Sequence, residues 1–345
     1  MTRPADNLMN DPDLGNGWRV VEKVTKKPKS TGGAFSVGYK VKHADGREAF
    51  LKALDFSEAF NAPDPPSELA RLTELYLFER NLLAKCKDKR LDRVMTPISD
   101  GKVTIPGYGP LGQVFYLIFD LAAGDIRGVL QDFSKLDLLW SLTSLHNVAV
   151  GLNQLHHIDV VHQDIKPSNV LFAEDSGSKI SDLGRACDKN RSSLNDSFAV
   201  AGDTSYAPLD LFYLNTGVGG FEKRFLTDLY LLGSLFFFHF SGVSAVHALQ
   251  TKLQGIKVTN HSFNHDLPYF QHAYEETLSD LRGILEPLAG SLAPQILIIA
   301  KQLCEPDPSK RGDPGWKGSR VPMYNLQRYI SKLDALCKRV EIGLR

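Results

Sequence analysis

The stretch from His162 to Gly184 constrains the fold of this chain more than any other part of the sequence. It reads H-Q-D-I-K-P-S-N-V-L-F, then a polar turn, and then K-I-S-D-L-G. The apolar run Val170–Phe172 predicts a short strand, and Lys179–Ser181 predicts the returning strand. The residues between them, Glu174–Ser178, have the composition of a turn. We therefore predict a tight β-hairpin near the middle of the chain.

Polar side chains are concentrated at the open end of this hairpin. Asn169 and Asp182 would lie at the same edge, and Asp164 would lie on the loop just before. Oxygen ligands at one edge, with no Cys or His positioned as a soft ligand, suit Mg²⁺ better than zinc. An acid that can accept a hydroxyl proton, beside two Mg²⁺ ligands and Lys166, is what phosphoryl transfer requires.

The spacing of these residues carries a family resemblance. The pattern H-x-D-x-K-P-x-N, followed eighteen positions after its Asp by D-x-G, resembles the catalytic and magnesium loops of eukaryotic-type (Hanks-type) serine/threonine protein kinases. The resemblance implies that Asp164 accepts or orients the proton of the substrate hydroxyl and that Lys166 neutralises charge on the moving phosphoryl group. It also implies that Asn169 and Asp182 hold Mg²⁺. A surface loop with acids placed by chance is the alternative.

The residues around Lys166 bear on the acceptor. Kinases of small molecules related to this fold generally lack the K-P pair, and tyrosine kinases generally carry A-A-R-N. The run Lys166–Asn169 therefore favours serine or threonine in protein substrates, and the chain itself could be one of these substrates. The resemblance also implies ATP and Mg²⁺ as cofactors. Two alternatives stay open. One is a small-molecule kinase of the same fold, and the other is a catalytically weak or dead pseudokinase that acts as an interaction module.

A Gly-rich segment near the start of the chain resembles the kinase glycine loop, whose bare backbone N–H groups can approach phosphates closely. The match is imperfect, because Thr31 and Ser36 stand where outer glycines are usual and Gly38 stands where Val is usual. A flexible turn without a ligand is the alternative. The candidate nucleotide-binding residues of this segment are Gly32, Gly33, Ala34 and Phe35.

Lys52 lies inside the apolar run F-L-K-A-L and therefore needs a partner or a water-lined cleft. By resemblance it is the lysine that holds the α- and β-phosphates. Its expected partner is Glu79 on the following helix, with Glu74 as the alternative. Phe50 departs from the family, where a small Ala covers the adenine. We hypothesise that Gly38 compensates by leaving space on the neighbouring strand.

A second nucleotide contact is expected where the two lobes connect. The segment Tyr116–Ala122 resembles the strand and hinge that present backbone groups to adenine, which makes Asp120 and Ala122 candidate binding residues. Asp125 is a candidate contact to the ribose or to a substrate. The alternative for Asp125 is an exposed acid that opens a helix.

The pattern of elements predicts an α+β class, bilobal protein-kinase-like fold. The smaller lobe would have a five-stranded antiparallel sheet plus one helix, and the larger lobe would be mainly helical. The expected divisions are a flexible tail over residues 1–16, the N-lobe over 17–119, the hinge over 120–125 and the C-lobe over 126–345. The predicted strands are 18–24, 35–43, 49–54, 102–105 and 113–119, the helix is 68–87, and 59–67 is a loop.

Three features of the larger lobe are also predicted. Asp182–Asp210 resembles an activation segment, and its last residue would pair with Arg311. Asp228, inside an apolar run, would brace the backbone of the catalytic loop. Gln163 stands where the family often has the Arg that contacts a phosphorylated activation segment. We therefore expect activity that does not depend on such phosphorylation.

The composition narrows partners and location. With 40 basic and 40 acidic residues, nothing indicates nucleic acid or an anionic membrane as an obligatory partner. The four cysteines are scattered without a C-x-x-C pair, which favours free thiols in a reducing compartment and hence a cytoplasmic location. The apolar run Leu226–Ala248 includes several polar residues, so we expect a buried helix rather than a membrane span.

Overall fold

A computed structural model describes residues 3–10, 13–25, 36–130, 136–173, 177–213, 215–255 and 262–343. The chain divides into two compact units. Unit 1 comprises Met1–Arg90 and Val94–Ala123, and unit 2 comprises Leu91–Arg93 and Gly124–Arg345.

Unit 1 is built on a five-stranded antiparallel sheet, in the order β1-β2-β3-β5-β4. The turn between β2 and β3 contains Asp45 and Gly46, a pair that is typical of hairpin turns. Gly46 has a φ of 94°, and Asp45 accepts a hydrogen bond from the Arg47 amide at 3.0 Å. A positive φ favours glycine, so this turn fixes the hairpin. The strands are β1 (Trp18–Lys23), β2 (Ser36–His43), β3 (Glu48–Leu54), β4 (Ser99–Thr104) and β5 (Gln113–Asp120).

One long helix, α1 (Pro65–Asp88), accompanies the sheet. It begins earlier than predicted, inside the expected 59–67 loop. Asp64 caps it by accepting a hydrogen bond from the Ser67 amide at 3.3 Å. Proline is tolerated in the first turn of a helix because the N–H it lacks has no partner there. Pro65 and Pro66, two of the three prolines that indicated a loop, therefore start the helix instead.

The predicted flexible tail is wrong for the described residues of this region. Pro4–Asn10 forms a 3₁₀ helix in which Ala5 and Leu8 are completely buried. The Tyr39 hydroxyl donates to the Ala5 carbonyl at 2.7 Å, and the Tyr116 hydroxyl donates to the Leu14 carbonyl at 3.1 Å. The cause is the sheet itself, whose apolar face must be covered. That face includes Val37, Tyr39, Val41, Ala49, Leu51 and Ala53, all of them buried.

Unit 2 is mainly helical. Its short strands form two small antiparallel sheets, in the orders β6-β8-β9 and β10-β7. The strands are β6 (Gly124–Asp125), β7 (Val160–Val161), β8 (Val170–Ala173), β9 (Gly177–Ile180) and β10 (Cys187–Asp188). The helices are α2 (Ile126–Val129), α3 (Leu138–His157), α4 (Gly220–Ser241), α5 (Ala245–Lys252), α6 (Phe263–Ala289), α7 (Ala293–Leu303) and α8 (Gln327–Glu341).

Helix α4 is the centre of the unit 2 core. It is buried from Phe225 to Phe240 and packs against α3, α5, α6 and α7. It ends at Gly242, whose φ of 79° is the left-handed conformation common after a helix C-terminus. The predicted buried helix is thus present. The sheet with one helix in unit 1 and the helical unit 2 confirm the predicted fold class.

We expect Leu8→Ala to lower the free energy of unfolding of the chain by about 2–5 kcal/mol, because it leaves a cavity under a fully buried side chain. The neighbouring Met9 is 44% exposed, so Met9→Ala should change the free energy by no more than about 0.5 kcal/mol. Urea unfolding of both variants measures the difference. Equal midpoints would show that the N-terminal segment does not contribute to the core.

Candidate active site

The predicted hairpin is present, and it sets the positions of the magnesium-ligand candidates. Val170 at the start of β8 pairs with Ile180 at the end of β9. The Ser181 amide donates to the Asn169 carbonyl at 2.8 Å. Asn169, just before β8, and Asp182, just after β9, therefore lie at the same end of the hairpin. The turn residues 174–176 lie outside the described residues.

Asp228 of α4 holds the loop before the hairpin. Its carboxylate, with no solvent exposure, accepts hydrogen bonds from the amides of His162 and Gln163, each at 2.8 Å. It also accepts from the Gln163 side-chain amide at 3.2 Å and lies 2.9 Å from His156 Nε2. A buried carboxylate needs such donors to offset its desolvation. The predicted brace is therefore present.

The candidate catalytic aspartate, Asp164, is held on both of its carboxylate oxygens. Oδ2 accepts from Asn169 Nδ2 at 2.9 Å and lies 3.1 Å from Lys166 Nζ. Oδ1 accepts from the Asp203 amide at 2.8 Å. The side chain is 8% exposed. These contacts restrict the carboxylate to one orientation, as a proton acceptor in a fixed geometry requires.

The donor set suits a hard cation that brings some of its own ligands. Asn169 Nδ2 donates hydrogen bonds to the Asp164 backbone carbonyl at 2.8 Å and to the Asp164 carboxylate. Asn169 Oδ1 is therefore the atom that could face a metal. Asp182 adopts a left-handed backbone, with φ 61° and ψ 78°. Within the described ranges, no group of three or more His, Cys, Asp or Glu side chains could form a complete cage. Mg²⁺ is usually bound by one or two carboxylates plus substrate phosphates, so these residues fit it.

In unit 1, Lys52 and Glu79 form the predicted ion pair. Their Nζ and Oε1 atoms are 2.9 Å apart. Glu79 lies on the buried side of α1, whereas the alternative partner, Glu74, is exposed. The sheet register places Lys52 opposite Gly38 on one side and Leu117 on the other. The pairing gives a semi-buried ammonium a fixed position.

The space left by Gly38 is filled by Phe50. A Cβ atom built on Gly38 would lie 2.8 Å from Cε2 of the Phe50 ring. Because alternate residues of a strand share a face, Phe50 and Lys52 lie on the same face of β3. The contact agrees with the hypothesis that the two departures from the family pattern compensate each other.

The remaining nucleotide-binding candidates are placed less tightly. Asp120 is the exposed last residue of β5, and Ala122 is half-buried just beyond it. Asp125 caps α2, because its Oδ1 accepts from the Gly128 amide at 2.7 Å. The structure thus gives Asp125 the helix-opening role of the alternative interpretation. The candidates Gly32, Gly33, Ala34 and Phe35 lie outside the described residues.

The end of the activation segment is anchored in the core. Arg311 Nη2 and Asp210 Oδ1 are 2.6 Å apart, and both side chains are essentially unexposed. Arg311 also donates to the carbonyls of Glu305 and Leu226 and lies over the Tyr230 ring. This is the predicted pair. Such a pair fixes geometry more than it adds stability.

Sequence reasoning missed the contribution of Gly202 and Asp203. A Cβ atom on Gly202 would lie 2.1 Å from the Gln163 carbonyl oxygen, so only glycine permits this close approach. The next residue, Asp203, contacts both Asp164 and Lys166. A glycine directly followed by an acid in the activation segment was the available signal.

Comparison with known proteins agrees with this geometry. The protein kinase domain model matches residues 29–314, well over half of the chain. The chain belongs to the protein kinase family. A probable cell division protein kinase of Encephalitozoon cuniculi is 23% identical over 50% of this chain and 50% of its own length.

Two further relatives come from a plant and a bacterium. Cysteine-rich receptor-like protein kinase 2 of Arabidopsis thaliana is 27% identical over 66% of this chain and 32% of its own. A probable serine/threonine-protein kinase of Clostridium acetobutylicum is 29% identical over 30% of this chain and 16% of its own. The matches thus span half or less of these three relatives.

The contact between Gly38 and Phe50 generates a prediction for this kinase. Gly38→Val alone should weaken ATP binding at least tenfold, because its Cβ collides with the ring. Phe50→Ala alone should improve ATP binding by removing the ring from the face that carries Lys52.

The double variant tests compensation between these two positions. In Gly38→Val/Phe50→Ala the loss should disappear, since contacting residues couple non-additively. Calorimetric titration with ATP measures all four forms. Additive effects, or weaker binding by Phe50→Ala, would contradict the compensation.

Proposed function

We propose that this protein kinase is an ATP- and Mg²⁺-dependent serine/threonine kinase that transfers the γ-phosphate to protein hydroxyls. The observation that carries the proposal is the orientation of Asp164, whose two carboxylate oxygens are fixed by Asn169, Lys166 and Asp203. A carboxylate held in one orientation is what the acceptor of a substrate hydroxyl's proton requires. The intact Lys52–Glu79 pair also argues against a dead interaction module.

Each residue has a defined task in the proposed reaction. Asp164 orients the acceptor hydroxyl and takes its proton. Lys166 neutralises charge that develops on the transferred group. In unit 1, Lys52 offers its ammonium to the nucleotide phosphates while Glu79 keeps it in place. Asn169 and Asp182 would hold Mg²⁺, which supplies charge neutralisation on the phosphate oxygens when bound.

The acceptor class and the location belong to the same proposal. Lys166 followed by Pro167 favours serine or threonine over tyrosine, and one relative is named as a probable serine/threonine-protein kinase. The substrates would be proteins, with the chain itself as one target. The described cysteines are thiols rather than disulfides, and three of the four are buried. Free thiols suit a reducing compartment, which supports a cytoplasmic location.

Asp164→Ala and Asp182→Ala should each lower phosphate transfer by at least about 100-fold, because they remove the proton acceptor and a Mg²⁺ ligand. The assay uses ATP labelled at the γ-phosphate, Mg²⁺ and a mixed protein substrate. Phosphoamino-acid analysis of the product tests the choice of serine and threonine.

The matched control for this assay is Glu74→Ala, an exposed change on the helix that carries Glu79, and it should leave transfer unchanged. Transfer that survives both aspartate changes would refute the proposal. Absent transfer by the unmodified chain would favour the interaction module. Label found only on small molecules would favour the small-molecule kinase.

The activation segment has hydrogen bonds that need no phosphate. Asn195, fully buried, donates through Nδ2 to the carbonyls of Gly184 and Ala186 at 3.1 and 3.0 Å. Arg224 Nη2 donates to the Asp196 carbonyl at 2.9 Å, and Gln163 donates to the Arg224 carbonyl at 2.8 Å. The amide of Gln163 thus joins the catalytic loop to the helix that holds the segment.

We therefore expect activity to be independent of segment phosphorylation. Phosphatase-treated and untreated protein should transfer phosphate at rates within about twofold, whereas Asn195→Ala should reduce the rate by removing two backbone contacts near Asp182. Leaving a buried hydrogen-bonding group without its partner costs about 1–3 kcal/mol, so the change weakens the attachment of the segment. Mass spectrometry confirms the phosphate content of each sample. A large loss of activity after phosphatase treatment would refute this expectation.

A further inference from the structure

Asp203 of the activation segment contacts the catalytic aspartate, Asp164. Gly202 approaches the catalytic loop so closely that a Cβ atom there would be 2.9 Å from Asp164 Oδ1. The next amide, of Asp203, donates to that same oxygen at 2.8 Å. The Asp203 carboxylate then reaches back toward the loop, with Oδ2 3.2 Å from Lys166 Nζ. Asp203 therefore contacts both residues assigned to the chemistry.

The Asp203 carboxylate is held as an anion. Its Oδ1 accepts from the Ser205 amide at 3.0 Å and from the Ser205 hydroxyl at 2.7 Å. Burial alone would raise the pKa of this carboxyl, but the Ser205 hydrogen bonds and the Lys166 ammonium lower it below its usual value. The Ser205 carbonyl in turn accepts from Ser244 Oγ at 3.3 Å, which ties this turn to the start of α5.

The charges at this point do not balance. Among the residues that the structure describes, Lys166 is the one cation within 4.0 Å of either the Asp164 or the Asp203 carboxylate. One ammonium therefore faces two carboxylates. The Asp203 side chain is 19% exposed, compared with 8% for Asp164, so its charge is the more accessible to an approaching molecule.

We propose that Asp203 determines specificity by making the surroundings of the acceptor hydroxyl anionic, so that serines and threonines flanked by Lys or Arg are preferred and those flanked by Asp or Glu are disfavoured. The inference rests on the proposed function, since the acceptor is placed by the role of Asp164. Through its amide, Asp203 is also a positioning residue for Asp164. At separations of 5–10 Å in a partly exposed site, a unit charge changes affinity by roughly three- to tenfold.

The test compares three peptides that differ only at the residues flanking one serine, which are Lys, Gln or Glu. The unmodified kinase should show kcat/KM for the Lys peptide at least tenfold above that for the Glu peptide. Asp203→Asn keeps the backbone hydrogen bond to Asp164 but removes the charge. It should bring the two values within about threefold, chiefly through KM. Raising the ionic strength should shrink the preference of the unmodified kinase in the same direction.

Two control variants separate charge from structure. Asp159→Asn removes an acid that contacts Lys189 and Asn190, and its left-handed backbone suits Asn, so it should leave the peptide ratio unchanged. Ser205→Ala keeps the Asp203 charge and should preserve the sign of the preference. If the role of Asp203 were purely structural, Asp203→Asn would lower kcat/KM equally for all three peptides. That result overturns the inference.

Failure of the proposed function gives a different result. If the unmodified chain phosphorylates no peptide while remaining folded by thermal denaturation, the kinase proposal fails. Fluorescence anisotropy with labelled forms of the same peptides then decides the inference. Tighter binding of the Lys peptide that is lost in Asp203→Asn supports an anionic acceptor surface, and equal affinities for all three peptides refute it.

Discussion

The active site depends on the hydrogen bonds between the buried carboxylate of Asp228 and the catalytic loop. This carboxylate lies in the buried part of helix α4, where an uncompensated charge would cost several kcal/mol. Two consecutive backbone amides of the catalytic loop, a glutamine side chain and His156 supply the compensation. The need to satisfy this charge holds Gln163 at a φ of 65°, which few residues other than glycine adopt. The strained turn places Asp164 immediately afterwards.

From this anchor, each polar residue of the loop is fixed by the next. The Asn169 side-chain nitrogen donates to the Asp164 carboxylate, and the Asn169 backbone carbonyl accepts from the Ser181 amide. The loop and the hairpin therefore cannot shift independently. The activation segment closes the arrangement from the other side through the Asp203 amide. Helix, hairpin and segment thus restrain one carboxylate, which is preorganisation in the sense that the orientation is set before a substrate arrives.

Much of this arrangement could be predicted from the sequence, because it depends on residue type at fixed spacing. The Lys52–Glu79 and Asp210–Arg311 pairs join charges that would be costly to bury alone. The two strands of the hairpin could be predicted from the apolar residues on either side of a polar stretch. The role of Asp203 was missed because its contact to Asp164 is made by a backbone amide, which any residue could provide. Asp125 showed the limit of resemblance, since capping a helix and contacting a ribose call for the same acid.

The burial of Leu8 shows that the folded core extends beyond the residues that the family model matches. The family match begins at residue 29, yet the core reaches back to Ala5. The family match ends at residue 314, yet α8 packs along α3 and buries Val340. Both extensions cover apolar surface that the shared region leaves open. A fragment trimmed to the homologous boundaries would keep every catalytic residue and expose part of its hydrophobic interior, so it would be prone to aggregate.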